Sequence, residues 1–164
     1  MVAVLHDLDT ERAWQAAAAV PDPEVPCVTV AELGILRAVH VEQGVATADV
    51  SPTYSGCPAV LAIELAIEVA LRDAGFEARI NRVLSPPWTT QWITAEGREK
   101  LRAYGIAPPV EAAGKMALFA DPQVACPRCH STETEMLSAF GSTACKAQYR
   151  CQSCAEPFDY FKCI

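Results

Sequence analysis

The chain has 164 residues, 51% hydrophobic and 20% charged, which excludes a disordered chain and allows one good core, or a small domain with a stapled appendage. Thirteen basic and 20 acidic residues give a formal charge of −7, which disfavours nucleic acid and anionic membranes as partners. No apolar run reaches the roughly 18 residues of a membrane span, and Met1–Trp14, carrying His6, Asp7, Asp9 and Glu11, lacks the basic and apolar regions of a secretory signal, so a cytoplasmic location is expected.

The first predicted element is a helix over Thr10–Val20, with Ala13, Trp14, Ala17 and Val20 on one face and Pro21 as its stop. Asp22-Pro23-Glu24-Val25-Pro26 reads as an extended or turning loop. Strands are expected over Ile35–Glu42 and Val45–Ser51, joined by a Gln43-Gly44 hairpin turn. A long apolar helix follows over Pro58–Ala74, closed by Gly75 at the position after its C-cap. In a third strand, Phe76–Leu84, Phe76, Ala78 and Ile80 alternate with Glu77, Arg79 and Asn81. A last helix spans Thr94–Tyr104 and ends at Gly105. The order αββαβα over residues 1–104 predicts a small α+β domain with helices packed on a three-stranded sheet. Gly105-Ile-Ala-Pro-Pro109, the Glu111–Lys115 stretch and Asp121-Pro122 mark residues 105–123 as a linker, which leaves 124–164 as a separate module.

Six of the eight cysteines (Cys126, Cys129, Cys145, Cys151, Cys154 and Cys163) crowd this last module. Cys126-Pro-Arg-Cys129 and Cys151-Gln-Ser-Cys154 each aim two sulfurs at one point. Two such turns at hairpin ends predict a four-thiolate zinc ribbon holding one Zn(2+) per chain, with iron as the competing metal. Cys126–His130 also matches C-x-x-C-H, a haem-attachment string, but the second C-x-x-C explains the first without haem. Residues 121–164 hold five acidic and four basic side chains, so the ribbon has no basic footprint for nucleic acid. Phe158, Tyr160 and Phe161 are expected in its small core, and Cys145 and Cys163 as packed, reduced thiols. So short a segment depends on its metal for folding.

In the first module, Thr53-Tyr-Ser-Gly-Cys57-Pro58 precedes the long helix. With Pro58 at the first helical position, Cys57 falls near the N-cap, where amides and the helix dipole stabilise a thiolate. A partly buried structural cysteine is the competing reading. Cys27 is expected in the core. Asp22 and Glu24 are metal ligands or turn and capping residues, and composition favours the second. Trp88 and Trp92 either anchor a partner or fold back onto the domain. There is no G-x-G-x-x-G, P-loop, H-E-x-x-H or Glu-x-x-His motif, and the histidines His6, His40 and His130 are scattered. The chain does not read as a self-sufficient enzyme.

Asp22-Pro-Glu-Val-Pro26, Glu32-Leu-Gly-Ile35, the hairpin and Ser55-Gly-Cys57-Pro58 opening a helix together resemble the metal–sulfur cluster assembly factor family over about residues 10–85. Members act in iron–sulfur protein maturation. Pro86-Pro-Trp-Thr-Thr90, Trp92-Ile-Thr94, Glu96-Gly-Arg98, Lys100–Pro108 and the tail ending Glu156–Cys163 resemble the D-subunit family of bacterial phenylacetyl-CoA epoxidases (phenylacetate-CoA oxygenase J subunits), over nearly the whole chain. These resemblances imply an accessory factor of phenylacetate catabolism that serves the epoxidase components or their iron–sulfur client. Cys57 is then the family's cysteine, Asp22 and Glu24 match its D-P-E motif, and a labile iron–sulfur cluster is an implied cargo. Two chains, each giving Cys57, could share such a cluster, which implies a homodimer or a client supplying the other ligands. The competing class is a stoichiometric structural subunit of the oxygenase.

Overall fold

In the computed structural model, which describes residues 2–54, 56–110 and 123–162, the apolar periodicities build two compact units, Met1–Thr94 and Ala95–Ile164. In the first, helix α1 (Val2–Ala18) packs on strand β1 (Leu36–Glu42) and on helix α2 (Val60–Asp73). α1 begins eight residues before the Thr10 expected from sequence. Exposed Arg12 and Gln15 are bound back to Asp9 (2.8 Å) and Glu11 (2.8 Å), helical spacings that support its solvent face. Arg12 also donates to the Ala74 carbonyl (2.9 Å) and lies 5.0 Å over the Phe76 ring, clasping the exit of α2.

Strand β1 pairs antiparallel with β2 (Val45–Val50), and β2 pairs parallel with β3 (Glu77–Arg82), giving the order β1-β2-β3. Gln43 (φ 50°) and Gly44 (φ 81°) form the expected two-residue turn, both in the left-handed region. The parallel step needs a crossover, and α2 supplies it. Val39, Val41, Ala46, Ala48 and Val50 bury one sheet face, and Ile63, Ile67 and Leu71 bury the inner stripe of α2. α2 ends in a Schellman motif: the Gly75 amide donates to the Arg72 carbonyl (2.9 Å) and that of Phe76 to the Leu71 carbonyl (3.1 Å).

Between α1 and β1 the chain makes a tight, buried loop. Thr29 and Glu32 exchange side-chain-to-amide hydrogen bonds (2.9 and 3.2 Å), a capping box over the turn leading to Gly34. Residues 86–94 strap this turn. The Trp88 indole donates to the Leu33 carbonyl (2.9 Å), and the Thr94 amide donates to the Glu32 carbonyl (2.9 Å). Gly34 (φ +70°) admits the strap: a Cβ there would lie 2.5 Å from the Trp92 Cβ.

The second unit starts with α3 (Ala95–Tyr104), which the sequence pattern assigns to the first domain. Strand β4 (Ile106–Ala107) pairs parallel with β7 (Pro157–Phe161), in a sheet of order β4-β7-β6-β5 with β6 (Lys146–Cys151) and β5 (Thr134–Ser138). The start of the expected linker is therefore tied to the ribbon sheet, and its remainder, 111–122, lies outside the described residues. The ribbon core is aromatic, as expected. Tyr149 stacks on Phe158 (6.0 Å) and meets Tyr160 edge-on (5.5 Å), beside Val124 and Ala147.

Candidate metal centre and thiol site

The four ribbon cysteines converge. The ligand atoms of Cys126, Cys129, Cys151 and Cys154 all lie within 4.8 Å of one another, with Cys126 to Cys154 at 3.8 Å and Cys129 to Cys151 at 3.5 Å. Four thiolates about 2.3 Å from a central ion in a tetrahedron stand roughly 3.8 Å apart, whereas a disulfide needs about 2.05 Å. The set therefore fits a tetrahedral ion and not a disulfide pair.

Backbone geometry makes the two halves alike. The residue after each second cysteine, His130 and Ala155, has φ 61°. Each first cysteine's amide is held by the far side of its turn, Cys126 by the Ser131 carbonyl and Cys151 by the Glu156 carbonyl, both at 2.9 Å. In each half the first cysteine is buried in the aromatic core and the second is exposed. His130 thus holds the same turn position as Ala155, which accounts for the C-x-x-C-H string as half of a four-cysteine site. Ser153 ties the halves together, donating to Ser131 Oγ (2.9 Å) and Glu133 (3.2 Å).

Cys129, Cys151 and Cys154 shift one another's proton affinity, together with the amides around them. The Cys154 amide draws the Cys151 thiol down and, although burial opposes it, leaves it at about 7, with Cys129 donating as well. The Ser131 amide draws Cys129 down. Its shared proton with Cys151, desolvation and contacts to Cys154 and Cys126 outweigh that and push it up to about 12. The Glu156 amide and the Cys129 sulfur favour the Cys154 thiolate, but desolvation and the sulfurs of Cys151 and Cys126 leave that thiol raised. A divalent cation would take the place of these shared protons.

The first unit gathers its sequence-flagged residues differently. Asp22 is buried and accepts the amides of Glu24 (2.9 Å) and Val25 (2.8 Å), so its carboxylate builds the turn. Cys57, more than 30 residues on in sequence, is half-buried within the electrostatic reach of both Glu24 and Asp22. The helix, however, starts at Val60 with Ala59 as N-cap, two residues later than expected, because Pro58 and Ala59 form a turn closed by the Val60 amide on the Cys57 carbonyl (3.3 Å). Burial pushes the Cys57 thiol up, and the charges of Glu24 and Asp22 add to this against the amides of Ala59 and Val60, which favour the thiolate.

Ser55, in the same motif, and Cys163 lie outside the described residues. Cys27 is half-buried rather than in the core, and Cys145 is buried with its sulfur 3.1 Å from Thr143 Oγ1. Trp88 is buried against Leu33 and so offers no exposed anchor. Trp92 is half-buried, with the Arg37 guanidinium 3.5 Å over its ring.

Residues 111–162 match the family described as PaaD zinc beta ribbon domain, and residues 10–83 match the family described as iron-sulfur cluster assembly protein. Over 152 residues the chain is 47% identical to the D subunit of a 1,2-phenylacetyl-CoA epoxidase from Escherichia coli (strain K12), covering 92% of this chain and 91% of that one. The chain belongs to this epoxidase D-subunit family. A solved domain of unknown function from Bacillus anthracis, DUF59, aligns with TM-score 0.56 at 23% identity over 60% of this chain and 96% of its own, which shows the mixed α+β fold. The D-subunit family chain thus joins an iron–sulfur assembly domain to a zinc-ribbon domain. Among the described residues no helix is long and apolar enough to cross a membrane.

Proposed function

We propose that the chain is an accessory maturation factor for a bacterial phenylacetyl-CoA epoxidase, acting in the cytoplasm. Its first unit assists assembly or delivery of an iron–sulfur cluster to an epoxidase component, and its ribbon holds one zinc ion through Cys126, Cys129, Cys151 and Cys154. The observation that carries this reading is the identity of 47% to an epoxidase subunit across both modules, one of which matches an iron–sulfur assembly family. All-thiolate ligation and tetrahedral sulfur spacing support zinc in the ribbon. Bound there, zinc supplies folding free energy and no redox chemistry.

The cluster is cargo, and Cys57 is its ligand on this chain. Iron binding releases the Cys57 proton to solvent, and transfer replaces the Cys57 sulfur with a client thiolate. Iron–sulfur bonds exchange and no electrons move. Because the Cys57 thiol is raised, its proton competes with iron for the sulfur, and ligation becomes pH-dependent. One cysteine cannot complete a cluster, so the client or a second copy supplies the remaining ligands.

Protein purified without oxygen should contain about one zinc per chain by the site's stoichiometry, together with iron and acid-labile sulfide that Cys57→Ser loses. Epoxidase matured with Cys57→Ser should have lower activity. Zinc without iron, wild-type maturation by Cys57→Ser and stable equimolar co-purification with the oxygenase would establish a structural subunit instead.

A further inference from the structure

We infer that the outward face of α2 docks a basic amphipathic helix of a partner protein and leads it to Cys57. The inference takes its purpose from the maturation reading, but the surface stands on its own observations. Leu61, Leu65 and Val69 recur at every fourth position and are 72%, 59% and 47% exposed. The opposite stripe of the same helix, Ile63, Ile67 and Leu71, already fills the core. The outer row is therefore not needed for folding, and it is a contiguous apolar line of the kind that marks interaction sites. Exposed Pro58 extends it to the Cys57 end of the helix. Anchors at such spacing are how one helix reads the apolar face of another.

Charge selects the partner. Residues 1–94 carry 12 acidic and five basic side chains, while 95–164 carry eight of each, so the whole formal charge of −7 belongs to the unit that bears α2. Beside the row, Glu64 and Glu68 are already neutralised by Arg82 (2.7 Å) and Arg72, so the selecting charge is the net negative charge of the unit and not these two carboxylates. At its Cys57 end the negative potential of Glu24 and Asp22 reaches the thiol. A partner helix that is basic where it meets this end gains by complementarity, and an acidic one is repelled. Size argues for a transient partner over a permanent second copy. A 14-residue helix is about 21 Å long, and three side chains fall well short of the roughly 1,600 Å² of a standard stable interface.

The test is fluorescence anisotropy of the full zinc-loaded chain with two labelled helical peptides of equal apolar content, one built of Leu and Lys and the other of Leu and Glu. The Lys peptide should bind at least about tenfold tighter than the Glu peptide and weaken with salt. The double variant Leu65→Ser, Val69→Ser should lose about tenfold or more of that binding, with its circular dichroism unchanged. Met136→Ser, an exposed apolar residue of the ribbon, should bind as wild type does. Equal binding of both peptides, or undiminished binding by the double variant, would overturn the inference. So would sedimentation showing a dimer that the double variant dissolves, since a second copy would then occupy the face. Cys57→Ser should bind the Lys peptide normally while failing in maturation. If it matures the epoxidase normally, the delivery reading falls while the peptide result still decides the surface.

Discussion

The two units solve the same problem with opposite resources. The first has a large apolar core and brings its cysteine of interest, Cys57, only to half-burial beside two carboxylates. The ribbon has a small aromatic core and places four sulfurs within 4.8 Å of one another. In the first unit Cys57, the proposed cluster ligand, is not a core residue, so the fold should survive its substitution. In the ribbon the proposed metal ligands are themselves core residues, since Cys126 and Cys151 are fully buried. Fold and site are separable in one unit and the same thing in the other.

The sharpest way to break that contrast is Cys151→Ser. A hydroxyl there removes one of four thiolates and puts a polar group in the aromatic core. Residues 124–162 should lose their ordered amide signals by NMR, and zinc content should fall to near zero. Signals of the first unit should persist. An intact ribbon without zinc would show that the aromatic core alone suffices. The reciprocal variant is Ile67→Ala. It opens a cavity at a fully buried site of α2 and should cost ~2–5 kcal/mol of first-unit stability by denaturant titration, with zinc retention unchanged.

What is legible in the sequence follows the same division. The C-x-x-C pairs are local, so their convergence is readable from spacing, as are the Gln43-Gly44 turn and the Gly75 cap. The left-handed Ala155 carries no sequence signal of its own, and only its equivalence to His130 across the site explains it. The start of α1 is obscured because the acidic residues before Thr10 hide the periodicity. Strand β4 is obscured because two residues before Pro108 do not look like a strand, and only pairing with β7 makes them one. Residues of the Asp22 loop and Cys57 are far apart in sequence, so their proximity belongs to tertiary structure. Trp88 has two fates open to it in the sequence, and the Leu33 carbonyl decides between them.

A smaller effect probes how the first unit holds its loop. Gly34→Ala forces a Cβ to within 2.5 Å of the Trp92 Cβ and 2.7 Å of its carbonyl oxygen, in a left-handed conformation. The strap must move, at a cost of ~1–3 kcal/mol. Thermal unfolding of the first unit should shift down while that of the ribbon stays put. An unchanged transition would mean that residues 86–94 do not brace the turn.

The smallest expected effect concerns Cys57 itself, and it asks whether the thiol is governed by its surroundings, as the ribbon sulfurs are, or is merely half-buried. Burial is the larger cause of its raised proton affinity, and the negative charges of Glu24 and Asp22 add to it. A raised thiol pKa means that little thiolate exists at neutral pH and that more appears as pH rises. Glu24→Gln removes one negative charge without touching the Asp22 carboxylate that builds the turn. The thiol pKa should then fall, so the thiolate fraction at a given pH rises. Alkylation of Cys57 by iodoacetamide at pH 7 should speed up, and the difference should shrink in high salt if the charge acts through solvent. Peptide mapping isolates Cys57 from the other cysteines. An unchanged rate in Glu24→Gln would leave burial as the whole cause and strip Glu24 of any electrostatic part in the site.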